Sequence, residues 1–395
     1  MELNVPFFKP SFSEEEKNAV CNCIDSGWLT TGKETHSFEE EFASYINSKF
    51  ALAVNSNTSG MILALESIGV KKGKTVITTP YTFVSTAASA VHLGGEVLFA
   101  DTEKNSYSID PKKIEELLKN DKENKICAII AVHIAGNLCN MKELKNLAEK
   151  YSTEKNRIYL IEDCAHSFPS RTDEGFAGTL GDIGIFSFYA TKTITTGEGG
   201  MITTNDEKLA KRMSIMRLHG MNRDAWDRYT NPNASWQYDI VAPGFKSNLP
   251  DILSAIGRVQ LKKAQIFFEK RKKIVDFYNN SFKNEDFIIL PPDSNGNAWH
   301  LYLLRIKPEK LNINRDEYAK LLQENGIGIS VHFIPLFYYS YWKEKYPEFK
   351  ETAFPNAKFN FERTISLPLW PDMSKEMAQK VVETVIKIGK EHYVC

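Results

Sequence analysis

Through its first two hundred residues the chain alternates short apolar runs, bounded by turn residues, with stretches in which apolar positions recur every three or four residues. That alternation of strand and helix periods is the sequence form of an α/β layered domain. The apolar runs predict strands at 50–54, 75–78, 96–100, 126–132, 158–161 and 184–188, with 201–204 as one more. Several are apolar throughout, as strands covered on both faces are, so the sheet is expected to be mostly parallel. Helical spacing at 111–118 and 141–151 marks crossover helices.

Residues 222–250 break the pattern with prolines, asparagines and tryptophans, and loops of that length in compact domains are usually functional. A helical stretch follows from Leu253 through Lys273. Beyond Asp276 the spacing predicts a smaller α+β unit: a strand at 300–306, a helix at 315–325, and a last helix after Ser374 with Met377, Val381, Val382, Val385 and Ile388 on one face. The expected division is residues 1–252, a large α/β domain with an N-terminal segment, and 253–395, a linking helix and a small C-terminal α+β domain; 395 residues are too many for one small core.

Composition narrows the function classes. Forty-nine basic residues against 50 acidic ones leave a net charge of −1, so no overall field draws the chain to nucleic acid or an anionic membrane, and an anionic ligand needs a local site. The N-terminal MELNVPFFKPSFSEEE has no basic stretch leading into an apolar core, and no apolar run reaches the ~18 residues that span a bilayer, so a cytoplasmic protein is expected. Cys21, Cys23, Cys127, Cys139, Cys164 and Cys395 show no paired C-x-x-C spacing, which predicts reduced thiols and no metal site.

Three segments carry chemistry. Gly184-Ile-Phe-Ser-Phe-Tyr-Ala-Thr-Lys192 runs straight into Thr193-Ile-Thr-Thr-Gly197-Glu-Gly-Gly200. A lysine after an apolar strand and beside a glycine-rich turn can be desolvated in a cleft, where its pKa falls and its amine becomes nucleophilic, as a Schiff-base lysine requires. A solvated surface lysine is the alternative. In Ile158-Tyr-Leu-Ile-Glu-Asp163-Cys-Ala-His166, the strand delivers a carboxylate to the crevice where open α/β sheets bind ligands. There it can keep a pyridoxal ring nitrogen protonated; otherwise Asp163 caps a turn and His166 is a satisfied core histidine. In Ala53-Val-Asn-Ser56-Asn57-Thr58-Ser-Gly60, small polar residues lead into a helix whose N-terminus suits a phosphate, with Ser187 as a further hydroxyl. Thr58 and Ser59 serve equally well as N-caps. Together the three supply a nucleophilic lysine, a ring-nitrogen acid and a phosphate cradle.

The chain then resembles the sugar aminotransferases of the DegT/DnrJ/EryC1/StrS family, from Phe7 to beyond Pro371. The resemblance is carried by SGWLTTG at 26–32, TPYTFVSTA at 79–87, IEDCAHS at 161–167, FSFYATKTITTGEGG at 186–200, HGMNRDAWDRY at 219–229, PGFKSNLPDI at 243–252, WHLY at 299–302, VHFIP at 331–335 and SLPLWPDM at 366–373. Within the family, DAWDRY, PGFKSNLPD and AWHL are most similar to the enzymes that make UDP-4-amino-4-deoxy-L-arabinose.

This resemblance implies a fold-type I, pyridoxal-phosphate-dependent aminotransferase that passes an amino group from glutamate, through the pyridoxamine form (PLP/PMP), to a nucleotide-linked keto-sugar, a 4-keto sugar in first place and a 3-keto sugar as the alternative. It implies Lys192 as the cofactor-bearing lysine, Asp163 as the ring-nitrogen partner and His166 against the ring or its phenolic oxygen. Phe83 matches the ring-stacking aromatic, and Ser56, Thr58 and Ser187 the phosphate-binding group. Asn57 departs from the small residue usual there. Family members are homodimers with shared active sites, which implies that Lys246 or Asn248 reaches the partner's phosphate. Phe8 beside Phe7, the loop Gly27-Trp28-Leu29-Thr30, and His332 match substrate contacts. A sugar 3-dehydratase on this scaffold has histidine in place of the lysine, and Lys192 argues against it. A pyridoxal-phosphate-binding regulator without turnover is the reading from another class, and no appended DNA-binding segment or strongly basic face favours it.

Overall fold

A computed structural model describes residues 3–222, 237–293 and 296–394. The large sheet is built from β1 (Phe50–Val54), β2 (Thr75–Thr78), β3 (Glu96–Phe99), β4 (Ile126–Val132) and β5 (Tyr159–Asp163), joined after a short hairpin of β6 (Arg171–Thr172) and β7 (Gly175–Phe176) by β8 (Ile183–Ser187) and β9 (Gly200–Thr204). Its seven strands lie in the order β1-β9-β8-β5-β4-β2-β3. The neighbours from β8 to β3 pair in parallel, and β9 runs antiparallel to both β8 and β1. Six strands therefore point their C-terminal ends the same way, which is where the loops after β1, β2, β5 and β8 meet. All seven residues of β4 are buried, which explains its unbroken apolar run.

A second, antiparallel sheet packs β10 (Ile288–Ile289), β11 (Tyr302–Ile306) and β12 (Thr364–Leu367) in order. Its core includes the final helix, Lys375–Glu391, with Val381, Val382, Val385 and Ile388 buried and Met377 packed alongside, the face expected from the spacing. The strand expected from residue 300 starts two residues later. Ala298, His300 and Leu301 spend their N–H groups on the carbonyls of Gly136 and Ala135, across the molecule, and cannot join the ladder.

The helix expected at 253–273 is Asp251–Phe282. Lys272, Lys273 and Asp276 interrupt only its outer face; Ile274, Val275, Tyr278 and Phe282 stay buried and carry it on. Its first half packs Leu261, Ala264 and Phe267 with Phe38 and Phe42, and its second half packs with β11 and β12. One rigid element thus belongs to both cores. Of the long 222–250 connection, residues 223–236, including the DAWDRY segment, lie outside the described residues. Leu218 bridges Lys246, and Met221 bridges Ile240. Among the described residues no helix is long and apolar enough to cross a membrane.

Asp251, at the start of the long helix, also caps another. The helix Lys33–Ile46 begins at Gly32, which has no side chain to offer. Asp251 Oδ1 accepts from Gly32 N (2.7 Å), Thr35 N (3.0 Å) and Thr35 Oγ1 (2.7 Å), and Oδ2 from Glu34 N (3.2 Å). The first N–H groups of that helix are satisfied from more than two hundred residues away. Asp251→Ala is expected to lower unfolding free energy by about 2–4 kcal/mol, and Asp251→Asn, which keeps one acceptor oxygen, by less. Denaturant unfolding of the two variants measures the difference, and equal losses would contradict the capping role.

Candidate active site

The convergent strand ends and the small sheet enclose a cavity of about 770 Å³. Asp163, the last residue of β5, and Ser187, the last of β8, stand on its floor with Lys192 and His166 in the turns that follow. Ser56, Asn57 and Thr58 enter from the loop after β1 and Phe83 from the loop after β2; Phe7, Phe8, His300, His332 and Phe333 close the other side.

Asp163 is buried and fixed by three donors. Thr86 Oγ1 donates to Oδ2 (2.8 Å), and Asn57 Nδ2 (3.3 Å) and Ala165 N (3.2 Å) donate to Oδ1. The Ala165 bond is the turn cap weighed from the sequence, so capping and a place in the cavity coexist. Asn57 also donates to Ile185 O at 3.0 Å. Its side chain is spent on orienting Asp163, which accounts for a larger residue at a position where a small one was expected.

Lys192 anchors its backbone N on Tyr189 O (2.9 Å) and extends its amine into the cavity. Burial pulls the amine down to about 8, against the opposing pull of the Asp163 carboxylate. An ordinary lysine near 10.4 is almost wholly charged at neutral pH, whereas this one has an appreciable free-amine fraction.

The anion cradle is the N-terminus of the helix Asn57–Ser67. Its cap is Ser56, not Thr58 or Ser59: Ser56 Oγ accepts from Ser59 N (3.1 Å), and Gly60 N reaches Ser56 O (3.1 Å). The N–H groups of Asn57 and Thr58 are left without intrahelical acceptors, in the arrangement that receives a phosphate. A Cβ at Gly200 would lie 2.9 Å from Asn57 N and 2.7 Å from Phe186 O, so the glycine lets β9 pass close beneath this turn.

Three histidines share the wall. The His166 ring lies 4.5 Å from that of His300 and 6.3 Å from that of His332, and stacks on Phe333 at 5.5 Å. Desolvation, reinforced by Lys192 and His332, holds His166 well below its ordinary pKa; desolvation, His166 and Lys192 do the same for His300. His332 is lowered to about 4 by burial and by Lys192, and its Nδ1 pairs with Ser366 Oγ at 2.8 Å. At neutral pH all three rings are uncharged. His300 and Thr86 were not singled out from the sequence, although WHLY contains the first and TPYTFVSTA the second.

The remaining expected residues lie together outside the cavity lining, with Lys246 and Asn248 against Val54 and Asn55, just before Ser56. Trp28 Nε1 donates to Thr31 O (3.1 Å), Asn248 Nδ2 to Thr31 Oγ1 (2.7 Å) and Lys246 Nζ to Asn248 Oδ1 (2.5 Å). Gly27, Trp28, Leu29, Thr30, Lys246 and Asn248 therefore form one patch, and none lines the cavity of their own chain. His133, Glu162 and Cys164 also cluster. Glu162 accepts from His133 Nε2 and from the N–H groups of Gly178, Leu180 and Gly181, and His133 Nδ1 accepts from Cys139 N, so the cluster is closed by hydrogen bonds.

The cavity's donor set fits pyridoxal phosphate. Lys192 offers an amine that is partly neutral, Asp163 a carboxylate of fixed orientation for a ring nitrogen, and the Asn57–Thr58 turn with Ser56 and Ser187 an anion site. Comparison with known proteins agrees. The model of the DegT/DnrJ/EryC1/StrS aminotransferase family matches residues 10–386. An uncharacterized protein, MJ1066 of Methanocaldococcus jannaschii, is 42% identical over 99% of both chains. Spore coat polysaccharide biosynthesis protein SpsC of Bacillus subtilis is 38% identical, covering 98% of this chain and 97% of its own. The putative sugar aminotransferase Spr1654 of Streptococcus pneumoniae, solved in its PMP-form, superposes with a TM-score of 0.90 at 30% identity over 98% of this chain and all of that one.

A lysine titrating near 8 makes a testable signature. Between pH 7 and pH 9 its free-amine fraction rises about tenfold and then levels, whereas an ordinary lysine gains about a hundredfold with no plateau. The rate at which apoprotein captures pyridoxal phosphate, followed by absorbance, is expected to follow the first curve. A continued rise through pH 10 would show an unperturbed amine.

Proposed function

The chain belongs to the DegT/DnrJ/EryC1/StrS aminotransferase family, and from that premise we propose that it moves the amino group of glutamate onto a nucleotide-linked 4-keto sugar. It is a pyridoxal-phosphate-dependent sugar aminotransferase of fold-type I. The amino sugar would serve surface polysaccharide, lipopolysaccharide or glycan synthesis, a reading supported by the 38% identity to a spore coat polysaccharide biosynthesis protein. The observation that carries the proposal is the meeting of a desolvated Lys192 and a three-fold anchored Asp163 in one cavity.

Pyridoxal phosphate, when bound, supplies an aldehyde that takes up the donor's amine and a protonated ring that accepts electrons. Lys192 holds the cofactor between turnovers. Once freed, its lowered basicity would suit it to take the proton from the donor's α-carbon and, when the keto-sugar is aminated, to deliver one to the sugar carbon that bore the keto group. Asp163 keeps the proton on the ring nitrogen, and Asn57 and Thr86 keep Asp163 aimed. Phe83 and His166, which line the same cavity, would hold the cofactor ring, the first by stacking and the second by contact with the ring or its phenolic oxygen. Phe8 and His332 border the space left for the sugar.

We further propose a two-fold homodimer with shared sites. The patch holding Trp28, Lys246 and Asn248 does not line its own cavity, and Leu29, Tyr238, Ile240 and Val241 beside those segments are about half exposed. Exposed apolar side chains gathered around functional loops mark an interface. A two-fold contact is reciprocal, so each patch would complete the other chain's site.

Incubating the protein with glutamate and a panel of nucleotide-linked 3-keto and 4-keto sugars tests the substrate. Release of 2-oxoglutarate with a 4-keto member is expected, and activity confined to 3-keto members would move the amination site. Lys192→Ala should lose the yellow absorbance band and transamination together. Asp163→Asn should still bind cofactor while the barrier rises by about 2–4 kcal/mol, roughly a 30- to 1,000-fold loss of rate. Near-normal turnover by either variant would remove that residue from the mechanism. For the dimer, an inactive Lys192→Ala chain is mixed with an inactive chain altered at Lys246 and Asn248. Heterodimers hold one doubly defective site and one intact site, so activity should partly return; subunit exchange without recovery would mean that each patch serves its own chain.

A further inference from the structure

Behind the cavity lies a cation that this chemistry does not use. Arg271, on the helix Asp251–Phe282, is 1% exposed and pairs with no carboxylate among the described residues. Its Nη1 donates to two backbone carbonyls, His300 O (3.3 Å) and Leu369 O (3.1 Å), and its Nε has no partner. Desolvation brings the guanidinium down only to about 10, so it is charged at neutral pH. Burying a charge on so few acceptors costs free energy, and an apolar side chain of similar volume is often as stable or more so in such a place. Stability does not explain Arg271; the groups that it holds do.

Both carbonyls belong to residues that line the cavity, one just before β11 and the other just after β12. From His300 the constraint passes on through the backbone. His300 N donates to Ala135 O (3.0 Å), Leu301 N reaches the same oxygen (3.4 Å), and Ala298 N donates to Gly136 O (3.2 Å). The receiving turn is left-handed at Ala135 (φ 61°) and Gly136 (φ 102°), and a Cβ at Gly136 would meet Asn297 Oδ1 at 2.8 Å and Ala298 N at 2.9 Å. The two segments thus approach as closely as glycine permits. In that conformation Ala135 N donates to His166 Nδ1 at 3.2 Å. A ring nitrogen that accepts from a backbone N–H carries no proton, so the neutral His166 bears its proton on Nε2. A protonated ring would set N–H against N–H at Ala135.

We propose that Arg271 is a positioning residue for His166: acting through His300 and Ala135, it fixes that imidazole as a neutral ring with its proton on Nε2, the nitrogen left to donate to a bound ligand oxygen. The link runs along backbone groups rather than through the His300 ring. It rests on the cavity being the active site but not on the identity of the sugar or donor, because the deciding measurement needs no substrate.

The measurement is a two-bond nitrogen–proton spectrum of holoenzyme labelled with ¹⁵N-histidine, in which His166→Gln identifies the His166 signals among the eight histidines. The wild type should show His166 as the Nε2–H tautomer. Arg271→Met removes charge and clamp at similar volume; it should shift the ring toward tautomer exchange and lower kcat about ten- to a hundredfold with a smaller change in KM, the usual scale for losing an orienting partner. Arg271→Lys should fall between, since an ammonium keeps the charge and hydrogen-bond donors on a shorter side chain that does not place them where Nη1 stands. His300→Leu keeps the backbone bonds and should leave the His166 pattern intact. A folded Arg271→Met protein with the wild-type His166 spectrum, even one with a lower Tm, overturns the proposal; if that variant does not fold, an unchanged spectrum in Arg271→Lys does so. A His300→Leu protein that loses the tautomer overturns it too, by showing that the ring contact sets it.

Discussion

Burial lowers the pKa of Lys192 while Asp163, in the same cavity, raises it, and the proposed chemistry depends on neither effect winning outright. Too strong a pairing would keep the amine protonated and useless as a nucleophile, whereas burial with no counter-charge would leave no carboxylate to stabilise a protonated ring nitrogen. Sheet geometry sets the balance. β5 and β8 are parallel neighbours with Asp163 opposite Ile185, so the carboxylate at one strand end and the lysine after the other are kept apart by a turn of chain. Thr86, Asn57 and the Ala165 N–H occupy lone pairs of the carboxylate, which favours anchorage to the protein over collapse onto the amine.

The same economy governs the rest of the wall. Cations close to Lys192 would raise the cost of protonating it, and two polar groups of the opposite wall, His300 and His332, are uncharged rings. The buried guanidinium of Arg271 is not among the cavity's lining and holds the carbonyls of His300 and Leu369 from outside it. Placement of charge by layer, with a carboxylate and an amine inside, neutral donors around them and a guanidinium behind, requires the two cores to keep register. The 32-residue helix common to both supplies that register.

How much of this was legible follows from the range of the forces involved. The strands announced themselves because burial on both faces demands apolar side chains along them, and Asp163 and Lys192 because one ends such a strand and the other stands in the turn after one. Where an element's end is decided by a distant partner, local periodicity gives the wrong residue: β11 starts late because His300 and Leu301 are bonded to Ala135, and the long helix outlasts its charged outer face because its inner face still packs on β11. Asn57 looked like part of a phosphate loop, yet its amide reaches Asp163 more than a hundred residues on. Arg271 gave no signal, since an arginine beside two lysines reads as a solvated helix face until the small sheet covers it.

The patch outside the cavity can be judged by its rigidity. Gly32 sits where a Cβ would fall 2.2 Å from Trp28 Nε1 and 2.9 Å from Asp251 Oδ2, so the 27–32 loop is packed onto the start of the long helix as tightly as its backbone allows. Thr31 Oγ1 donates to Leu249 O and accepts from Asn248, while Asn55 N is held by Ser247 O. A loop whose only task was to connect two elements would not need its backbone groups satisfied from a segment two hundred residues away. Association costs free energy for every side chain and loop that must be ordered, and a surface already ordered in the single chain avoids most of that cost. The Asp251 carboxylate is consumed inside the patch, whereas Lys246 brings an ammonium to it, held by Asn248 Oδ1. A preformed, cationic edge beside exposed apolar side chains is the form a surface needs if its task is to reach an anion held by a second copy of the chain.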